Sequence, residues 1–170
     1  VIVAHGPLMV VGVLGTVIAI ERAVAVGRGW ALAAPVFSLV AALGLALGAP
    51  WTLAAWASVA SAAVLVLALG ALALRGRDLA ALVIGLGALV YLAGCVRWAL
   101  GAPIFGVLPY WTTWLVLTIA GERLELTRVM PPSRFARASL LVLAAALAAS
   151  VVLGAVLRGA AFVALAAWLL

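Results

Sequence analysis

Two Glu-Arg pairs are the residues of this sequence whose chemistry stands out most. Glu21-Arg22 and Glu122-Arg123 each end a long apolar run, in a chain with only 8% charged residues. An ionisable residue inside or at the edge of a membrane span is costly, so it usually faces a protein interior, a partner or a water-filled path. These pairs are therefore predicted to be an internal polar or ion-pair feature of a membrane protein.

The Glu-Arg pairs allow three interpretations. Adjacent residues on a helix point about 100° apart, so we expect that neither glutamate neutralises the arginine that follows it. One interpretation is a reciprocal clamp, which joins Glu21 to Arg123 and Glu122 to Arg22. Another is a proton or substrate path that uses Glu21 or Glu122. The third is anchoring alone, in which long arginine side chains reach the lipid headgroups.

The pairs lie in two short stretches, 16–28 and 118–128, that resemble each other. An even number of predicted crossings separates them, so both pairs reach the same membrane face. This parity favours a parallel repeat of about four helices, and a chance match explains so short a similarity equally well. In the second stretch Glu125 and Arg128 lie three residues apart and are placed to pair locally.

A second set of candidate residues lies toward the opposite end of the spans. His5 and Met9 are one turn apart at the start of the first span, and Cys95 is near the end of the fourth. Because these residue types suit Cu(I) and histidine also binds haem iron, all three are candidate haem or metal ligands. The alternative is that His5 accepts hydrogen bonds at the interface and that Met9 and Cys95 only pack against their neighbours. Arg97 is predicted to contact an anionic headgroup or a substrate carboxylate, or to stack on Trp98.

Composition places these residues in a membrane protein. The chain is 70% hydrophobic, and since a spanning helix needs roughly 20 mostly apolar residues, it holds about seven spans. The net charge of +6 comes from arginines scattered at predicted helix ends, which indicates membrane topology and not a nucleic-acid partner. A single cysteine excludes an internal disulfide. No nucleotide-binding, zinc-protease or serine-hydrolase motif occurs, so no catalytic residue is predicted.

The predicted fold is an all-α transmembrane helix bundle of six complete spans plus a partial seventh. We interpret residues 1–170 as one domain, a fragment of a larger membrane protein. All seven prolines are predicted at or near span boundaries. The predicted spans are about 5–26, 31–48, 51–74, 79–100, 108–126, 136–157 and 160–170.

The distribution of arginines predicts the orientation. One side of the bundle carries most of them, and the positive-inside rule makes that side cytoplasmic, with the Val1 end outside, in a bacterial inner membrane. Aromatic residues are predicted at the outer membrane interface. The cytoplasmic arginines are Arg22, Arg28, Arg75, Arg77, Arg123, Arg128, Arg134 and Arg137, and the outer aromatic residues are Trp51, Trp56, Trp98, Tyr110, Trp111 and Trp114.

Two segments of the sequence carry a resemblance. HGPLMV at 5–10, with the following Glu21-Arg22, and LVLTIAGERLEL at 115–126 resemble segments of uncharacterised bacterial multi-pass inner-membrane proteins. A looser similarity is to the NnrS family, haem- and copper-associated membrane proteins linked to nitric oxide stress. It consists of a histidine that opens a span, a Gly-rich middle and an arginine that closes it. This resemblance implies that His5 is the haem or metal ligand.

The sequence leaves three functions open. The first is a membrane protein that binds or moves a small solute or cofactor within its bundle, with the Glu-Arg elements as its polar feature. The second is a haem- or metal-binding, redox or gas-responsive protein of NnrS-like type. The third is a non-catalytic scaffold subunit. The predicted partners are the lipid bilayer and further spans of the same protein or other membrane subunits.

Overall fold

The chain folds into α-helices joined by short turns. The computed structural model describes residues 2–76, 79–126 and 133–169, and no strand occurs in these ranges. A π-helical segment, Leu8–Leu14, joins the first two helices, and a 3-10 turn, Gly29–Leu32, precedes the third. The α-helices are α1 Ile2–Pro7, α2 Gly15–Val26, α3 Ala33–Ala46, α4 Trp51–Gly76, α5 Leu79–Ala99, α6 Ile104–Leu126, α7 Arg134–Leu153 and α8 Ala155–Leu169.

The predicted membrane bundle is confirmed. Within the described ranges, six helical segments are long and apolar enough to cross a membrane, and α8 is a shorter apolar helix. In lipid every backbone polar group must be satisfied internally, which an α-helix achieves within one segment. Large apolar side chains such as Val24 and Leu74 are exposed on the outside of the bundle, where lipid takes the place of water. The six segments are His5–Val26, Gly29–Ala46, Trp51–Gly76, Leu79–Ala99, Ile104–Glu125 and Arg134–Leu153.

Two predicted boundaries are wrong. α6 begins at Ile104, so Pro109 lies inside the helix, and Pro103 is the proline at the boundary. A proline this close to a helix start removes only one backbone hydrogen bond, which the long helix tolerates. α7 ends at Leu153, earlier than predicted, because Gly154 has a φ of 129°, which side chains rarely permit.

The first span is not a uniform α-helix. Pro7 lies inside it, and the seven residues that follow, Leu8–Leu14, are π-helical. Single π-helical turns are rare and occur frequently at functional sites. Beside this segment Ser38 Oγ donates to the Val11 carbonyl oxygen at 2.7 Å, and Thr16 Oγ1 lies 3.0 Å from Ser38 Oγ. The contact between the first two spans beside the π-helical segment therefore contains the hydroxyl groups of Thr16 and Ser38.

Glycines let α5 and α6 approach closely. A Cβ on Gly94 would lie 2.7 Å from the Tyr110 Cβ, and a Cβ on Gly121 would lie 3.1 Å from the Ala80 carbonyl oxygen. Lipid removes the hydrophobic drive between helices, so close packing of this kind holds them together. The close contact at Gly121 lies directly before Glu122 in α6.

Buried aromatic rings fill the contact between α5 and α6. Tyr91 stacks on Trp114 with ring centroids 3.9 Å apart, and Trp98 meets Trp111 edge-on at 5.5 Å. None of these three tryptophans is more than 5% exposed, so their rings pack inside the bundle, and their position at the depth of the membrane interface stays a prediction. Trp51, by contrast, is about half exposed. We call the end of the bundle that holds Trp98 and Trp111 the aromatic end.

Candidate functional site

A buried arginine at the opposite end of the bundle is the centre of the candidate site. Arg22 is only 4% exposed. Its Nη2 atom lies 3.0 Å from Glu21 Oε1 and 3.4 Å from Glu122 Oε1. Its Nη1 atom lies 3.1 Å from Glu125 Oε1. We call these four residues the Arg22 cluster, and the end of the bundle that holds them the Arg-rich end.

Helix geometry explains how one guanidinium reaches three carboxylates. Glu122 and Glu125 are three residues apart on α6, so their side chains lie on neighbouring turns of one face. A planar guanidinium presents five donors, which suits it to several carboxylates at once. One of these donors, Arg22 Nε, is buried and makes no hydrogen bond.

The structure contains one half of the predicted reciprocal clamp. Arg22 and Glu122 form an ion pair between α2 and α6. Glu21, however, pairs with Arg22 and not with Arg123, whose side chain is exposed. The expectation that Glu21 and Arg22 do not pair is wrong, because the flexible carboxylate and guanidinium chains bend toward each other despite the angle between their Cβ atoms. The two Glu-Arg elements are therefore not equivalent in three dimensions.

Glu125 has a partner that its local spacing did not indicate. It contacts Arg22 on another helix. The predicted local partner, Arg128, lies outside the described residues. This long-range contact adds Glu125 to the Arg22 cluster as its third carboxylate.

A cavity of about 410 Å³ lies beside the Arg22 cluster. Its volume is in the range of small-molecule binding sites. The walls combine apolar side chains from α4 and α5 with charged groups from three helices. The lining residues are Glu21, Arg22, Ala25, Leu69, Leu72, Arg75, Gly76, Ala81 and Glu125.

Charged groups of both signs surround this cavity. Among the described residues, its wall holds the carboxylates of Glu21 and Glu125 and the guanidinium groups of Arg22 and Arg75, and Glu122 adds a third carboxylate behind Arg22. The Arg75 Nη1 atom donates to the Val26 carbonyl oxygen at 3.1 Å, at the C-terminus of α2, where a positive charge is favourable. Carboxylates in a partly apolar environment attract a cation more strongly than they would in water.

The candidate haem or metal ligands lie in different environments. His5 and Met9 are exposed. Cys95 is buried beside Ser58 and Tyr91. Within the described residues, no group of three or more His, Cys, Asp or Glu side chains is placed to hold a metal ion. The three residues therefore differ in burial, and a haem or metal ligand role for His5, Met9 and Cys95 stays a prediction.

Arg97 stacks on a ring other than the predicted one. Its Cζ atom lies 5.5 Å from the centroid of the Tyr110 ring on α6, within cation–π range. Trp98, the next residue along α5, points about 100° away and is buried. Stacking on Trp98 is therefore wrong, and a headgroup or carboxylate contact for the exposed Arg97 stays a prediction.

Three buried hydrogen-bonding side chains near the middle of the bundle were not predicted from the sequence. Tyr91, Trp114 and Thr118 are each at most 2% exposed. The Tyr91 hydroxyl, Trp114 Nε1 and Thr118 Oγ1 make no hydrogen bond. A signal was present, because Trp114, Thr118 and Glu122 follow one another at four-residue spacing along α6.

The whole chain matches the sequence profile of one protein family. The sequence profile described as a domain of unknown function, DUF8744, matches residues 1–170. The chain belongs to the DUF8744 family. No curated protein and no solved structure matches it. The Arg22 cluster and its cavity are thus features of a DUF8744 helical bundle, and the resemblance to the NnrS family stays a prediction.

Proposed function

We propose that this chain is a bacterial inner-membrane protein that binds a small cationic solute in the cavity at the Arg-rich end and moves it toward the bundle interior. The observation that carries the proposal is the burial of Arg22, 4% exposed, against three carboxylates beside a cavity of about 410 Å³. The Arg-rich end faces the cytoplasm by the positive-inside rule.

The lining of the cavity supports a cationic ligand. Glu21 and Glu125 both line it, so an ammonium or guanidinium group there would meet carboxylates from two helices. Charge-assisted hydrogen bonds of this kind are about twice as strong as neutral ones. Leu69 and Leu72 offer an apolar wall for the methylene groups of such a solute.

A matched pair of four-carbon probes tests the sign of the charge. Putrescine and succinate have nearly the same length, and their charges are opposite. Because a ligand that binds the folded state stabilises it, we expect putrescine to raise the Tm of the protein purified in mild detergent. Succinate at the same concentration is expected to leave the Tm unchanged.

Two variants test whether the Tm shift caused by putrescine depends on the cavity. Glu21→Gln removes one carboxylate from the cavity wall and should reduce the shift caused by putrescine. Arg123→Gln is the control, since Arg123 is exposed and does not line the cavity. A shift with succinate alone would make this an anion site. A protein that responds to neither probe would favour the scaffold function.

A further inference from the structure

Four buried polar atoms without hydrogen-bond partners lie on the way from the Arg22 cluster to the middle of the bundle. They are Arg22 Nε, Thr118 Oγ1, Trp114 Nε1 and the Tyr91 hydroxyl. None of these side chains is more than 4% exposed. Buried polar groups nearly always have a partner in the protein or in ordered water, because leaving one unpaired is costly. Four such atoms in one region call for a common explanation.

The atoms on α6 follow the helix axis at regular steps. Trp114, Thr118 and Glu122 lie four residues apart, which places them on successive turns of one side, about 6 Å from step to step. This is the spacing of their Cβ atoms, and a water molecule that makes two hydrogen bonds of about 2.8 Å can bridge polar groups on side chains spaced in this way. Glu122 binds Arg22, and Arg22 lines the cavity. The row of polar groups therefore begins at the cavity.

The inner end of the row is a group of hydroxyls. Tyr91 stacks on Trp114. Its hydroxyl and Ser38 Oγ both lie 3.2 Å from the point that a Cβ on Gly15 would occupy, so the two oxygens face the same spot on the first span. Ser38 Oγ lies 3.0 Å from Thr16 Oγ1. The row thus meets the hydroxyls beside the π-helical segment.

Beyond Tyr91 the bundle is closed. Cys95, one turn further along α5, is fully buried and lies beside Tyr91 and Trp111. The Cys95 thiol receives no hydrogen bond of normal geometry from the Tyr91 hydroxyl or from Trp111 Nε1. Trp98 and Trp111 then meet edge-on and are at most 5% exposed. Trp111 Nε1 and Thr113 Oγ1 are also buried without a partner. The closed end is therefore assigned from the direct packing of the Trp98 and Trp111 rings and not from a lack of polar atoms.

We propose that a hydrated track leads from the cavity past Thr118 and Trp114 and ends at Tyr91. Its ligands are water and small hydrogen-bonding solutes that replace water. The four unpartnered atoms are its contacts along the way. Its role as the inner half of a solute path rests on the proposed function, whereas its existence does not.

Cysteine labelling tests the track. In a Cys95→Ala background, Thr118→Cys places a thiol on the track, and Leu117→Cys places one at the adjacent buried apolar position. Ile119→Cys is the control for the exposed outer face. The reagent is trimethylammonium-ethyl methanethiosulfonate, which does not cross membranes, added to sealed vesicles of each orientation. We expect Thr118→Cys to react about tenfold faster than either control, a barrier difference of about 1.4 kcal/mol, and only from the Arg-rich side.

A conservative variant gives a second test that does not depend on a new thiol. Removing a hydroxyl that is buried dry and unpartnered stabilises a protein, whereas removing a hydrated one does not. Tyr91→Phe is therefore expected to leave the Tm unchanged or to lower it. A raised Tm, or a Thr118→Cys rate equal to that of Leu117→Cys, would overturn the track. Fast labelling without any response to putrescine would keep the track and reject the cationic solute.

Discussion

The Arg-rich end and the aromatic end of the bundle are built in different ways. At the Arg-rich end, Arg22 and its carboxylates border a cavity of about 410 Å³. At the aromatic end, Trp98 and Trp111 pack edge-on, and Gly94 brings α5 so close to α6 that even a methyl group has no space. One end holds a buried charged cluster beside a cavity, and the other has a closely packed aromatic interior with Arg97 exposed at its surface. A path that is accessible from one face at a time is what solute movement across a membrane requires.

The largest expected loss of stability comes from a substitution at the Arg-rich end. Arg22→Met leaves three carboxylates close together without their guanidinium, and we expect a loss of about 3 kcal/mol in the free energy of unfolding, toward the lower limit for a broken buried ion pair because the carboxylates are partly exposed. Reversible unfolding in detergent measures it. Arg123→Met is the matched control and should change the stability by less than about 0.5 kcal/mol. Equal effects of the two variants would mean that both arginines act only as anchors.

The next largest expected loss of stability comes from a substitution at the aromatic end. Gly94→Ala places a methyl group 2.7 Å from the Tyr110 Cβ, so we expect a loss of about 1–3 kcal/mol from overpacking. Gly85→Ala on the same helix is the control, because a Cβ there meets nothing within 4 Å. Alanine also favours helix over glycine by up to about 1 kcal/mol, so this control should be neutral or stabilising. If both variants lost stability alike, the close approach of α5 and α6 would not matter.

A smaller effect concerns the wall of the cavity. Arg75→Gln removes the charged donor to the Val26 carbonyl oxygen, and we expect a loss of about 0.5–1 kcal/mol in unfolding free energy. Arg28→Gln, an exposed arginine close to the same helix end, is the comparison. The difference between the two variants should shrink at high salt, because salt screens exposed charges. A difference that persists at high salt would instead indicate lost packing of the Arg75 side chain.

The smallest effect separates the two Glu-Arg elements. A double-mutant cycle on Arg22 and Glu122 should give a coupling energy of about 0.5 kcal/mol, the lower limit for residues in contact, because the Glu122 side chain is partly exposed. The same cycle on Glu21 and Arg123 should give less than about 0.3 kcal/mol, since these side chains form no ion pair. Coupling of equal size in both cycles would restore the reciprocal clamp and make the elements equivalent.

Much of the fold could be predicted from one-dimensional information. Apolar runs of spanning length and the arginines between them indicate a helical bundle with a charged end, because lipid restricts what can cross it. The pairing of Arg22 with Glu122 was part of one of the three interpretations that the sequence left open. The helix boundaries at Ile104 and Leu153 could not be predicted in this way. The sequence does not distinguish a proline inside a helix from one at its start, or a glycine inside a helix from one that ends it.

The sequence by itself determined the class of protein, the number of spans and the end at which its charges gather, since each depends only on composition and order. Only the tertiary structure decided that Arg22 is buried with three carboxylates, that Arg123 is exposed, and that Tyr91 and Trp114 face the interior. These outcomes depend on how far each helix is rotated and shifted against its neighbour. Close contacts such as that of Gly121 with Ala80 set this rotation, and no local pattern in the chain encodes such a contact.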